Sequence, residues 1–452
     1  MHRLCAALVL AVSAAAMAPR VHAAIDVQSK TLPNGMKILV EEDDSIPNVA
    51  FYTFYRVGSR NEHEGITGLS HFFEHMMFNG AKKYGKGEFD STMDSAGGNN
   101  NAFTTNDMTV YTDWTPASAL ELLFDLEADR IEYLAFDPKV VESERQVVYS
   151  ERRLSVDNSN DGTLTELLDA TAFESSPYHW PVLGWPTDIE KWTIKDLEDY
   201  HAMGYSPSNA TVVVVGNVKA AEVFRLADQY FAPIPAHDPP PPVRTKEMAQ
   251  QGERRVVVRK FAQLPIVAIG YHAVDAKDSD LYPLRVLDGI LTTGQSSRLY
   301  RALVDGQLAI SANTFIRSSF DPGLFYVQAQ PRDGVAPEKV EAAIYAEIEK
   351  LQDAPITDAE LTKAKNQMIA NNYRRLQTIA GRANAIGFAE EYFGGWQHVN
   401  EEENLINAVT AADVQRVAKR YLTANNRTVA TLIPDKNVQD ATAAPAAAGG
   451  GK

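Results

Sequence analysis

Within residues 67–80, TGLSHFFEHMMFNG, the apolar side chains Leu69, Phe72, Phe73, Met76 and Met77 recur at the three- and four-residue spacing of one helix face. Thr67 reads as the cap of this helix and Asn79-Gly80 as its stop. His71, Glu74 and His75 cluster on the opposite side, so two imidazoles and a carboxylate converge away from the packed face. A second helical pattern opens at Asp137, a good N-cap, with Pro138 at the first helical position. Its apolar stripe is Val140, Val141, Val147 and Val148, and Glu144 and Glu151 fall in the middle of it, while Arg145, Gln146, Arg152 and Arg153 face elsewhere. Apolar and β-branched runs at 49–57, 108–114, 211–215, 255–260 and 323–329 read as strands lying between helical stretches. The fold class expected from this alternation is α+β, with helices packed on one face of a mixed sheet.

The pattern also repeats. Thr193, Asp196, Asn209, Thr211 and Val212 recur as Thr410, Asp413, Asn426, Thr428 and Val429, a constant offset of 217 positions. Each copy reads as a Thr-capped amphipathic helix, a turn and a β-rich run. Between the copies, residues 235–253 contain Pro239 to Pro242, which can join neither a helix nor a central strand. The expected organisation is a first domain at 24–234, a proline-rich linker at 235–253, a homologous second domain at 254–436 and an Ala/Gly-rich tail at 437–452.

Composition narrows the function. The 452 residues include 43 basic and 59 acidic side chains, a net charge of −16, which argues against nucleic acid as the main partner. That excess leaves the sign inside a cleft open, although an acidic chain could favour basic peptides. The single cysteine, Cys5, excludes a disulfide framework. It lies in a basic start followed by LCAALVLAVSAAAMA and the small-residue pattern Val21-His22-Ala23, which reads as a signal peptide over residues 1–23. The apolar run is shorter than the roughly 20 residues of a spanning helix, so the expectation is a cleaved, exported protein in the periplasm or outside the cell, with no membrane span.

Histidines one turn apart can share a Zn²⁺ through ring nitrogens, with the intervening Glu74 beside the metal to handle a water proton. The plain alternative is a polar helix face in water. Two histidines leave such a site short of its usual third protein ligand. Glu144 and Glu151 are candidates, because two carboxylates on a buried helix face are costly unless a cation or hydrogen-bond donors compensate them. Pairing with Arg or Lys of a neighbouring helix would also do so.

Together these residues resemble the pitrilysin-like zinc peptidases, whose inverted His-x-x-Glu-His motif is followed about 75 residues later by a ligand Glu. Here 76 positions separate His75 from Glu151, and Glu144 lies seven before it. Residues 97–111, 177–184 and 205–211 are similar to the mitochondrial-processing-peptidase-like branch, and the resemblance spans residues 28–435. It implies one Zn²⁺ per chain held by His71, His75 and Glu151, with Glu74 as general base and Glu144 as a second acid orienting a ligand. It further implies that peptide substrates add as a strand at an edge near Asn101 and Ala102. A Gly/Asn turn at 97–101 is compatible with that edge. The second half departs from the first: Arg285, Asp288 and Gly289 stand where His71, Glu74 and His75 stand, so it has no metal motif. Active relatives carry an Arg/Tyr pair in this half, and here Leu303 and Ile310 occupy those positions. The implied assembly is a heterodimer whose homologous partner supplies that pair, with a homodimer as the alternative. The competing reading of the whole chain is a non-catalytic peptide-binding or assembly subunit, against which the complete His/Glu set counts.

Overall fold

The structure, a computed structural model, describes residues 24–435 and 437. The segment read as a signal peptide and the Ala/Gly-rich tail from residue 438 lie outside the described residues. The first half builds a six-stranded sheet from β1 (Gln28–Thr31), β2 (Lys37–Glu42), β3 (Asn48–Tyr55), β4 (Asn99–Thr104), β5 (Thr109–Pro116) and β6 (Ala210–Gly216), in the order β1-β2-β6-β3-β5-β4. The second half builds a five-stranded sheet from β7 (Arg254–Lys260), β8 (Ile266–His272), β9 (Ala309–Ile316), β10 (Leu324–Pro331) and β11 (Arg427–Pro434), in the order β7-β11-β8-β10-β9. With β1 set aside, the second order repeats the first strand for strand. Each sheet is antiparallel except for one parallel pair, β2 with β6 and β7 with β11.

The 217-residue repeat has matching local physics in both copies. Thr193 and Asp196 form a reciprocal capping box at one helix start, and Thr410 and Asp413 form the same box at the other. Asn209 Nδ2 donates to the Gly204 carbonyl at 2.9 Å, and Asn426 Nδ2 donates to the Tyr421 carbonyl at 2.8 Å, tying each helix end to the strand that follows. The halves are thus two α+β units of one design.

Each sheet packs its own helices on one face, and the opposite face receives a helix from the other half. Ile379, Ala383 and Ile386 of the helix Ile379–Phe388 cover Leu39, Tyr52, Phe54 and Val213 of the first sheet. Leu164 and Leu168 of the helix Asn160–Ala172 cover Ile266, Ala268, Ala430 and Leu432 of the second. At Gly387 the backbone comes so close to Phe54 that an added Cβ would sit 2.1 Å from its ring. Burying each such aliphatic side chain contributes roughly 1.5–3 kcal/mol, so the exchange holds the halves in register. Residues 235–253 carry no helix or strand. They are pinned rather than free: Glu247 accepts from the amides of Glu174, Ser175 and Ser176 at about 3 Å, and Gln250 Nε2 donates to the Arg427 carbonyl.

Candidate active site

The helix Leu69–Met76 buries Leu69, Phe72, Phe73 and Met76, the face read from the sequence. Its start is different. Thr67 is not the cap, because its hydroxyl donates to Asp188 at 2.7 Å and accepts from the Trp185 amide at 2.9 Å. Gly68 occupies the cap position with φ 89, a left-handed conformation suited to glycine. The free amides are taken by Glu62 from the preceding turn, whose two oxygens accept from Gly68 N and Ser70 N, each at 2.7 Å. At the other end Asn79 Nδ2 donates to the His75 carbonyl, and Tyr111 on β5 donates to the Phe73 carbonyl at 2.9 Å. The helix is therefore fixed at its start, middle and end.

The helix Pro138–Arg152 starts as expected, with Asp137 accepting from Lys139 N and Val140 N. Its buried face is corrected by the structure. Val147 is 47% exposed, whereas Arg145 and Arg152 are buried with Val141, Glu144 and Val148. The reason is that loop carbonyls satisfy the guanidinium groups: Arg145 donates to those of Ile189 and Trp192, and Arg152 to Gly184, with Glu166 and Asp157 as its ion partners. The helix passes at Arg153, two residues beyond Glu151, into a π-helical turn.

These two helices bring four predicted residues together. Glu151 Oε2 lies 3.6 Å from His71 Nε2 and 3.3 Å from His75 Nε2. Tetrahedral zinc with bonds of about 2.0–2.2 Å separates its ligand atoms by about 3.3–3.6 Å; both Glu151 distances match that spacing, and the three ligand atoms all lie within 4.8 Å of one another. His71, His75 and Glu151 are the cluster of three metal-ligating side chains found among the described residues. His75 Nδ1 lies 2.8 Å from Glu144 Oε1, which leaves Nε2 facing Glu151. Burial pulls the His75 pKa down, but the hydrogen bonds and charges of Glu144 and Glu151 outweigh it and push it up to about 9. Hydrogen bonds from His71 and His75 hold the Glu151 carboxyl well below the usual carboxylate range. Glu144 is lowered as well, chiefly by its hydrogen bond with His75.

Glu74 lies beside this cluster and accepts from Thr104 Oγ1 at 2.7 Å through Oε2. Thr104 ends β4, whose outer edge has no paired strand among the described residues. Asn101 and Ala102 lie on the same strand, and Asn101 Oδ1 accepts from the Ala102 amide at 2.9 Å. In the second half, Asp288 accepts from Thr314 on β9, a counterpart of the Glu74–Thr104 pair, and burial pushes its pKa up to about 6. Leu303 is buried in the second core and Ile310 is 47% exposed, so neither offers a charged group.

Glu62 and Thr104 escaped the sequence reading. Each lies in a segment without helical or strand periodicity around the functional atoms, and only the tertiary approach gives it a role. Burial pushes the Glu62 pKa up to about 8 against the two amides that oppose the shift. The folded state therefore holds this proton more tightly than the unfolded chain, and its contribution to stability is complete below about pH 4.5 and declines as pH rises through about 8. Glu62→Gln presents an NH₂ group to one of the two amides and should cost about 1–3 kcal/mol at low pH. Denaturant midpoints measured across pH 4–9 on both proteins check this, with the difference expected to narrow as pH rises.

Residues 37–184 match the family described as insulinase (peptidase family M16), and residues 191–368 match the peptidase M16 inactive domain. The zinc protease PqqE of Helicobacter pylori is 33% identical over 414 residues, covering 90% of this chain and 93% of that protein. The chain belongs to peptidase family M16. The structure of a protease from Helicobacter pylori superposes on this M16 chain with a TM-score of 0.87 at 32% identity, over 91% of this chain and all of that one. A probable mitochondrial-processing peptidase subunit beta of Arabidopsis thaliana is 25% identical over 425 residues, covering 91% of this chain and 79% of that protein. The pitrilysin-like resemblance and the α+β fold read from the sequence hold.

Proposed function

We propose that this M16 chain is a zinc-dependent endopeptidase acting on short or unfolded peptides, with Glu74 as the general base. The observation that carries the reading is the approach of one carboxylate oxygen, Glu151 Oε2, to both His71 Nε2 and His75 Nε2, with Glu74 beside them and an open strand edge next to Glu74. The relatives described as zinc proteases support zinc as the ion. Held by His71, His75 and Glu151, zinc would polarise a peptide carbonyl and acidify water.

The remaining work falls to the chain. Thr104 holds Glu74 Oε2, so Oε1 is the oxygen left to take a proton from the attacking water and to return it to the leaving amine. Glu144 accepts the Nδ1 proton of His75 and so keeps the Nε2 lone pair directed at the ligand cluster. An extended peptide adds its backbone to the outer edge of β4 near Asn101 and Ala102, a mode tolerant of side chains.

Residues 1–23 act as a cleaved signal peptide, and the mature chain works in the periplasm or outside the cell. No helix among the described residues is long and apolar enough to cross a membrane. A homologous partner supplies the Arg/Tyr pair that Leu303 and Ile310 do not, and the two subunits enclose a chamber. Assaying the zinc-loaded chain alone and mixed with homologous subunits, on unstructured peptides and on the same sequences within folded domains, tests this reading. Hydrolysis of the unstructured peptides by the pair is expected. Full-rate hydrolysis by the lone chain overturns the heterodimer, and no hydrolysis in any mixture overturns the peptidase.

A further inference from the structure

A cavity of about 550 Å³ lies between the two halves. Thr104, the residue that holds Glu74, lines its first-half wall, and Arg285, Arg317 and Arg375 line its second-half wall. Three guanidinium groups in one cavity stand out in a chain of net charge −16. Their compensation is incomplete. Glu402 serves two of them, 3.6 Å from Arg285 and 2.9 Å from Arg375. Arg317 has no ion-pair partner among the described residues, and its guanidinium is placed by the rings of Phe315 and Tyr326, with centroids at 5.1 and 5.7 Å.

The two other acids lining the cavity are committed elsewhere. Asp169 accepts from Tyr326 Oη at 2.9 Å, and burial pushes its pKa up to about 7, so it brings Arg317 only part of a charge at neutral pH. Asp107 accepts from Tyr178 Oη at 2.6 Å and from Phe320 N at 3.0 Å, and its nearest guanidinium is that of Arg60 at 3.5 Å. A planar guanidinium held on aromatic faces with its donors free is suited to binding a carboxylate.

We propose that this cavity binds a carboxylate of the peptide substrate, with Arg317 as the recognising residue. The inference rests on the peptidase reading of Glu74 and extends it to substrate class. The chain that forms the edge strand β4 continues from Thr104 directly into Thr105, Asn106 and Asp107, which also line the cavity. A peptide added to that edge with its scissile bond at Glu74 therefore runs toward Arg317. The carboxylate comes from either an acidic side chain or the free C-terminus. A side-chain carboxylate makes the preference one for acidic peptides, and a C-terminal one makes it a preference for a free peptide end.

The test uses the zinc-loaded protein, with its partner if one is required, and three peptides of one sequence: with a free C-terminus, with an amidated C-terminus, and with internal Glu replaced by Gln. A charge-assisted pair of this kind should lower KM about 10-fold for a carboxylate peptide relative to its uncharged form. Amidation and the internal replacement separate the two sources of the carboxylate. In Arg317→Gln the ratio should fall toward one, and Arg317→Lys, which keeps the charge without the planar fork, should restore part of it. Equal KM values for charged and uncharged peptides in the wild type, or undiminished discrimination in Arg317→Gln, would overturn the inference while leaving the peptidase reading intact. If no peptide is cleaved, the peptidase reading fails, and equilibrium binding of the same three peptides still decides the role of Arg317.

Discussion

Glu74→Gln should reduce peptide hydrolysis at least about 10³-fold while leaving folding and metal content unchanged. The size follows from the part a positioned base plays, a factor of about 10²–10⁴, with the upper range expected here because the same carboxylate would both take the water proton and return it. Glutamine keeps the shape and can still accept the hydrogen bond from Thr104 Oγ1. It cannot take a proton. KM should change little, since the substitution removes a group needed in the transition state and not one that holds the peptide backbone. Progress curves on an unstructured peptide, with bound zinc and the thermal midpoint measured on the same sample, check all parts of this expectation.

The second large effect concerns the metal. Among the described residues, Glu151 is the one carboxylate whose oxygen faces both Nε2 atoms, and removing its charge leaves two neutral imidazoles to hold a dication. Glu151→Gln should therefore lose zinc on dialysis where the wild type retains about one equivalent, and hydrolysis should fall with the metal. Protons compete for the same site. In the metal-free chain the pKa of His75 is pushed up to about 9, so at neutral pH zinc must displace a proton from that imidazole. Zinc affinity should rise with pH and level off above about 9. Removing the Glu151 charge takes away part of what raises that pKa, so in the variant the levelling should move to lower pH. Metal titrations at several pH values, followed by proton release, measure this directly.

Much of the arrangement was legible in the chain because it rests on local periodicity. Helical spacing alone puts Phe72, Phe73 and Met76 on one side of a helix and His71, Glu74 and His75 on another, and Asp137-Pro138 announces the start of the next helix. The repeat was legible because Thr193 and Thr410 cap by local hydrogen bonds that any window of four residues contains. What local windows miss is competition for a side chain. Thr67 has the chemistry of a cap, but Asp188 and Trp185, about 120 positions away, take its hydroxyl, and Glu62 fills the vacancy. Arg145 and Arg152 look like solvent-facing residues until the carbonyls of Ile189, Trp192 and Gly184 are brought against them. The helices exchanged between the halves follow the same rule. Residues 379–386 have a face that packs on a sheet, and nothing in their spacing says which sheet.

The most direct measurement is the rate of peptide hydrolysis per bound zinc, compared between the wild type and Glu74→Gln at matched metal content. The account predicts one zinc in each protein and hydrolysis in the wild type that falls at least about 10³-fold in the variant. A zinc-loaded Glu74→Gln that cleaves the peptide at the wild-type rate would contradict it.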